Sequence, residues 1–183
     1  MRVIDLNPDD STAVRQAAVI LNTAFREHWP EAWATLEEAL EEVRGMLIPG
    51  RICRVAVDED GAVVGWVGGI PGYEGKVWEL HPLAVRPDRQ QQGIGRLLVR
   101  DFETQVKARG GLTIMLGSDD VDEMTTLANV NLYDNLPEKI FAIRNLKRHP
   151  YAFYQRLGYT IIGVMPDANG RGKPDIYLGK RVD

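Results

Sequence analysis

The chain has 183 residues, 44% of them hydrophobic, which is enough for a single domain spanning 1–183 around one buried core. A formal net charge of -4 argues against a broad nucleic-acid footprint and leaves cationic partners open. The single cysteine, Cys53 in an apolar run, excludes a disulfide framework and a cysteine-based zinc site, and no metal is expected. With no basic-then-apolar leader and no apolar stretch near the roughly eighteen residues of a membrane span, the expectation is a cytoplasmic protein without a membrane partner.

Residues 2 to 6 alternate as a short strand, and Asn7-Pro8-Asp9-Asp10 turns into a helix with its N-cap expected at Ser11. Val14, Ala17, Ala18, Leu21, Ala24 and Phe25 form its apolar stripe. The segment His28-Trp29-Pro30-Glu31-Ala32-Trp33 then sets two indoles beside a proline and an acid. Thr35 and Glu38 have the spacing of a capping box and open a second helix carrying Leu36, Leu40, Val43 and Leu47. Strand patterns at 51–57 and 62–70 flank Asp58-Glu59-Asp60-Gly61, which is hairpin chemistry. A turn at 71–75 leads to the next strand, so the middle of the chain reads as an antiparallel meander.

In that strand Glu79, His81 and Leu83 alternate with Trp78, Leu80 and Pro82, which puts Glu79 and His81 on one face. Pro82 cannot donate to a ladder, so it belongs at an edge, a bulge or a place where two strands separate. From Ile94 the apolar residues Leu97, Leu98, Phe102 and Val106 mark one helix face, stopped at Gly110-Gly111. Gln90 to Gly95 is therefore a loop at a helix N-terminus, where unsatisfied N–H groups and two glycines suit an anion. Arg86, Arg89 and Arg96 add positive charge. No glycine stands at Leu98 and no Gly-Lys-Ser/Thr follows, so neither the dinucleotide fingerprint nor the P-loop fits.

Leu112 to Leu116 reads as a buried strand reached by a parallel crossover, with Gly117-Ser118-Asp119-Asp120 at its end beside the strand of Glu79. Residues 121–148 read only as helix and loop. Tyr151 to Leu157 forms a short helix closed by Gly158. Tyr159 to Met165 and Asp175 to Leu178 are strands around a Gly-rich loop.

Gln90-Gln91-Gln92-Gly93-Ile94-Gly95, preceded by Leu83-Ala84-Val85-Arg86-Pro87, resembles the acyl-CoA motif of the GCN5-related N-acetyltransferase (GNAT) superfamily. Phe153-Tyr154-Gln155-Arg156-Leu157-Gly158-Tyr159 resembles its second motif. Lys147 and Pro150 depart from it, standing where the family often has Asn and Ala, and Asn145 is the candidate substitute for the Asn that contacts CoA. Four stretches look like bacterial aminoglycoside 6'-N-acetyltransferases: Trp29-Pro30-Glu31, Trp78 to Leu83, Leu116 to Asp120, and His149-Pro150-Tyr151 with Phe153-Tyr154.

The resemblance implies an α/β fold, a mixed sheet with an antiparallel meander, splayed central strands and flanking helices. It also implies acetyl-CoA as co-substrate, a polycationic aminosugar as acceptor, and a homodimer. The cofactor would be held by Leu83, Ala84, Val85, Gln90, Gln91, Gln92, Gly93, Ile94, Gly95 and Arg96, with the Leu83 N–H polarising the thioester carbonyl.

Amide formation from a thioester needs a neutral amine and an acid for the departing thiolate. Glu79 is the natural base, and Tyr154 resembles the family's acid, against a reading as a core aromatic. His81 is either a proton relay or a structural histidine. Trp29, Tyr73, Glu79 and Asp119 would bind ammonium groups and sugar rings, against a reading of Asp119 as a solvated turn. The expected activity is acetyl transfer to the 6'-amine of aminoglycosides. The alternatives are an acetyltransferase for another polyamine or a protein N-terminus, and a non-catalytic acyl-CoA-binding regulatory domain, which would not need Glu79 and Tyr154.

Overall fold

The computed structural model describes residues 1–183, which divide into two compact units, Met1–Ile114 with Val182–Asp183, and Met115–Arg181. In the first unit β1 (Arg2–Asp5), α1 (Ser11–Ala24), α2 (Leu36–Met46), β2 (Ile52–Val57), β3 (Val63–Gly72), β4 (Val77–Val85) and α3 (Ile94–Ala108) follow in order. Strands β1 to β4 pair antiparallel with their chain neighbours. β5 (Thr113–Asp119) begins beside β4, where the Leu112 and Thr113 N–H groups both donate to the Lys76 carbonyl at 2.9 and 3.1 Å. The second unit holds the rest of β5, α4 (Leu136–Phe141), α5 (Tyr151–Arg156), β6 (Thr160–Met165) and β7 (Asp175–Arg181), with strand order β5-β7-β6. No helix is long and apolar enough to cross a membrane.

Local chemistry accounts for the boundaries. The Thr35–Glu38 capping box closes as its spacing predicts, Glu38 N–H to Thr35 Oγ1 at 3.2 Å and Thr35 N–H to Glu38 Oε2 at 3.1 Å. α1 is capped one residue earlier than expected: the Asp10 carboxylate accepts from Ala13 N–H at 3.0 Å, which makes Ser11 the first helical residue. In the β2–β3 turn Asp58 Oδ1 accepts from the N–H groups of Asp60 and Ala62, and Gly61 takes the left-handed conformation, φ 82°.

Helices α1 and α2 bury Val14, Ala17, Ala18, Leu21, Val43 and Met46 against Cys53, Val55, Trp66 and Ala84. Against the other face of β3, α3 packs closely because β3 is bare there. A Cβ at Gly65 would press on Ile94 and Leu98, and one at Gly69 on the fully buried Phe102. This packing turns α3 so that Ile94, Leu98, Val99, Phe102 and Val106 are buried, while Leu97, expected on the apolar face, is 39% exposed. Each large apolar side chain so buried contributes about 2–3 kcal/mol.

Candidate active site

β4 carries the candidate residues of the first unit. Its residues alternate strictly, with Trp78, Leu80, Pro82 and Ala84 buried and Glu79, His81, Leu83 and Val85 half-buried. Glu79 and His81 therefore share the open face, as period two requires. The register with β3 slips between Leu80↔Gly69 and Leu83↔Val67, which places Pro82 in a bulge opposite Gly68. The His81–Pro82 peptide is cis. Any side chain at Gly68 would strike the His81 carbonyl and the Met46 side chain, so this glycine is what lets the bulge seat on α2.

The surroundings of His81 were not legible in the sequence. Glu42, on α2, lies with Oε1 3.8 Å from His81 Nε2, and the Trp33 ring stands 5.9 Å from the imidazole at 45°. Trp33 is fixed by the edge of Phe25 at 5.1 Å and by Asn22, whose Nδ2 donates to the carbonyls of Trp33 and Ala34 at 2.7 and 3.2 Å. Of the two indoles noted in the sequence, Trp33 is the one beside His81. Trp29 is half-buried, its N–H bonded to the Phe25 carbonyl at 2.7 Å. Tyr73 sits at the β3–β4 tip with 80% of its surface exposed.

Between β4 and α3 the loop has the shape of an anion cradle. Gln91 and Gly93 take left-handed φ values of 60° and 87°, and no side chain caps the N-terminus of α3. Space near Gly93 is open to a ligand, since a Cβ built there meets nothing within 4 Å. Gln90 and Gln92 are exposed along the loop, their Nε2 groups donating to the carbonyls of Val85 and Asp88 at 3.2 and 3.3 Å, so they brace the loop. The arginines divide. Arg86 forms a two-point pair with Asp88, at 2.7 and 3.1 Å, and this bond holds the Asp88 carboxyl below its ordinary range. Arg89 faces Asp58 at 3.5 Å, whereas Arg96, in the first turn of α3, is exposed. The cradle therefore offers backbone donors and one arginine, which fits a pyrophosphate. Ala84 turns its methyl group into the core, so only its backbone faces outward.

In the second unit Tyr154 is buried, with Phe153 and Tyr159 edge-on at 5.0 and 5.7 Å, and burial pushes its phenol well above the ordinary range. Asp119 is the last residue of β5, and its carboxylate accepts from Asn169 Nδ2. Asp120 is fully buried and folds the next turn, accepting from Met124 N–H, Thr125 N–H and the Thr125 hydroxyl at 2.6, 2.9 and 2.7 Å.

His149, 1% exposed, accepts from Tyr151 N–H at Nδ1 and so places its proton on Nε2, 3.1 Å from the Asp119 carbonyl. Burial pushes this imidazole down, which keeps it neutral. Asn145, the expected substitute for the CoA-contacting Asn, is committed at both ends: its Nδ2 donates to the His149 carbonyl and its Oδ1 accepts from His149 N–H, each at 2.8 Å.

Asp175 is the second carboxyl at this strand end. Burial and then the charge of Asp119 raise its pKa to about 6, and its Oδ1 is buried without a hydrogen bond. A raised folded pKa stabilises the protein below the ordinary carboxyl value and loses that contribution as pH climbs through about 6. Two pKa units correspond to about 3 kcal/mol, and partial exposure reduces this to about 1–2 kcal/mol. Asp175→Asn should accordingly gain about that much on the wild type at pH 7.5 relative to pH 4.5. Urea unfolding at both pH values checks this; an equal difference between the two proteins at each pH would contradict it.

The comparisons with known proteins agree with this geometry. The model of the acetyltransferase (GNAT) family matches residues 15–136. No curated protein matches the sequence. Among solved structures, an aminoglycoside 6'-N-acetyltransferase complexed with coenzyme A is 40% identical with a TM-score of 0.91, and 100% of this chain and 98% of that one are covered. The aminoglycoside 6'-N-acetyltransferase from Enterococcus faecium is 42% identical over the same shares, with a TM-score of 0.90. An aminoglycoside 6'-acetyltransferase type Ii is 36% identical with a TM-score of 0.76, again over 100% and 98%. GNAT enzymes use acetyl-CoA, and with the cradle before α3, the bulged β4 and this match over two thirds of its length, the chain belongs to the acetyltransferase (GNAT) family.

Proposed function

We propose that the chain transfers the acetyl group of acetyl-CoA to the 6'-amine of aminoglycoside antibiotics, by direct attack in a ternary complex, and so confers resistance to them. The observation that carries this reading is the open face of β4. It sets Glu79 and His81 on one face of the strand that leads into a pyrophosphate cradle, in a chain 40–42% identical over its whole length to enzymes of that name. The Leu83 N–H beside the bulge polarises the thioester carbonyl. An aminoglycoside amine is largely ammonium at neutral pH, and Glu79 holds it and receives its proton. The freed electron pair attacks the carbonyl carbon, the C–S bond breaks, and Tyr154 protonates the leaving thiolate. Burial keeps this phenol protonated at neutral pH, so its proton is in place when the C–S bond breaks. Asp119, Trp29 and Tyr73 supply charge and flat surface for the remaining ammonium groups and sugar rings.

With acetyl-CoA present, aminoglycosides bearing a 6'-amine should release free CoA, and analogues bearing a 6'-hydroxyl should not. Equal reaction of both would overturn the regiochemistry. Reaction only with small polyamines or peptides would transfer the assignment to another acceptor. No CoA from any amine would leave an acyl-CoA-binding domain.

A further inference from the structure

Resting on the acetyl-transfer reading above, we propose that Glu42 is a positioning residue for His81. Its carboxylate holds the Nε2–H edge of the imidazole and leaves Nδ1 as the lone-pair nitrogen that passes on the proton Glu79 collects. Nothing in the sequence joins these residues, since Glu42 lies on α2 and His81 on β4. In the fold Glu42 Oε1 stands 3.8 Å from His81 Nε2, an ion-pair distance about 0.6 Å beyond the longest hydrogen bond, so the bond closes when the Glu42 side chain rotates toward the ring. The other side of the imidazole is bounded by Trp33, whose place is fixed by Asn22 and Phe25, so the ring is held on two sides.

A neutral imidazole has one donor and one acceptor nitrogen, and a carboxylate can only accept. A carboxylate at Nε2 therefore selects the tautomer with the proton there, and Nδ1 becomes the acceptor. Glu79 lies two residues away on the same strand face, about 7 Å along the strand. The proton taken from the ammonium goes to the Glu79 carboxylate, and a water between the two side chains carries it on to Nδ1. The imidazolium then releases the Nδ1 proton to water, which restores the Nε2–H tautomer facing Glu42, and the 40% exposure of the His81 side chain gives that water access.

The test pairs kinetics with nitrogen NMR of the three histidines. In the wild type the His81 ring nitrogens should show the Nε2–H pattern, and Glu42→Gln should shift them toward the other tautomer while leaving His149 unchanged. The same substitution should lower kcat with the aminoglycoside about tenfold and leave KM for acetyl-CoA unaltered. Glu42→Asp, which keeps the carboxylate, should retain the tautomer and recover part of kcat. In a His81→Asn background, Glu42→Gln should cost nothing further. Glu37→Gln, on the exposed side of the same helix, is the control. An unmoved His81 pattern, or losses from the two substitutions that add, would overturn the proposal. Failure of the wild type to acetylate any amine would instead remove the acetyl-transfer reading, and the NMR pattern would still decide whether Glu42 sets the tautomer.

Discussion

Glu79→Gln should lower kcat/KM for a 6'-amino aminoglycoside by about 10²–10⁴, the range that a positioned general base supplies. A loss of about 10³ corresponds to roughly 4 kcal/mol of transition-state stabilisation. The substitution keeps volume and shape, and Glu79 stands half-buried in the middle of β4 with its Cα opposite Ile70, so the strand has no reason to move. What disappears is a proton acceptor and one negative charge facing a cationic amine. Acetyl-CoA should still raise the melting temperature as it does for the wild type, because the cradle before α3 uses backbone donors. Glu59→Gln, in the exposed β2–β3 turn, should be silent. A loss under about fivefold for Glu79→Gln, measured as release of free CoA, would take the base away from this residue.

The features legible in the sequence are those fixed by short-range geometry. A capping box is decided within four residues, and Thr35 with Glu38 formed as its spacing requires. The two-residue period of β4 separated Glu79, His81 and Leu83 from Trp78, Leu80 and Pro82 without reference to any other element. The glycines at 93 and 95 ahead of an apolar stripe were enough to place the start of α3 and the anion cradle.

Features that depend on distant partners were hidden. Arg86 and Arg89 count as positive charge in a sequence, yet Asp88 and Asp58 offset them in the fold, leaving Arg96 exposed. Leu97 fits the helical stripe by spacing, but bare glycines on β3 decide which side of α3 is buried. Glu42 falls on a helix rich in acids and nothing marks it until β4 lies beside it. Asn145 is a good contact residue by type, and the fold commits it to both polar groups of the His149 backbone. The same holds for His149, whose tautomer follows from a Tyr151 N–H that only the turn into α5 brings near.

Arg54 is the extreme case of a residue set by distant partners, and Arg54→Ala should destabilise the protein by about 3–5 kcal/mol. The side chain rises from β2, a strand buried along its whole length, and is only 8% exposed. Its guanidinium grips Asp101 on α3 through two bonds of 2.7 and 3.1 Å, meets Asp5 on β1 at 2.7 Å, and donates to the Val3 carbonyl at 3.4 Å. One cation thus fastens an edge strand and the helix that begins at the cofactor cradle. The Asp5 side chain is 77% exposed and can return to water, but that of Asp101 is only 20% exposed and would be left with its charge poorly solvated. Stranding that carboxylate, more than losing the attraction itself, makes the single substitution costly. Arg54→Met combined with Asp101→Leu removes both charges and refills the space, so it should recover most of the loss. Urea unfolding of the wild type, the single variant and the double variant measures this directly. A single-variant loss below about 1 kcal/mol, or a double variant no more stable than Arg54→Ala, would show that the Asp101 carboxylate finds adequate solvation without its arginine.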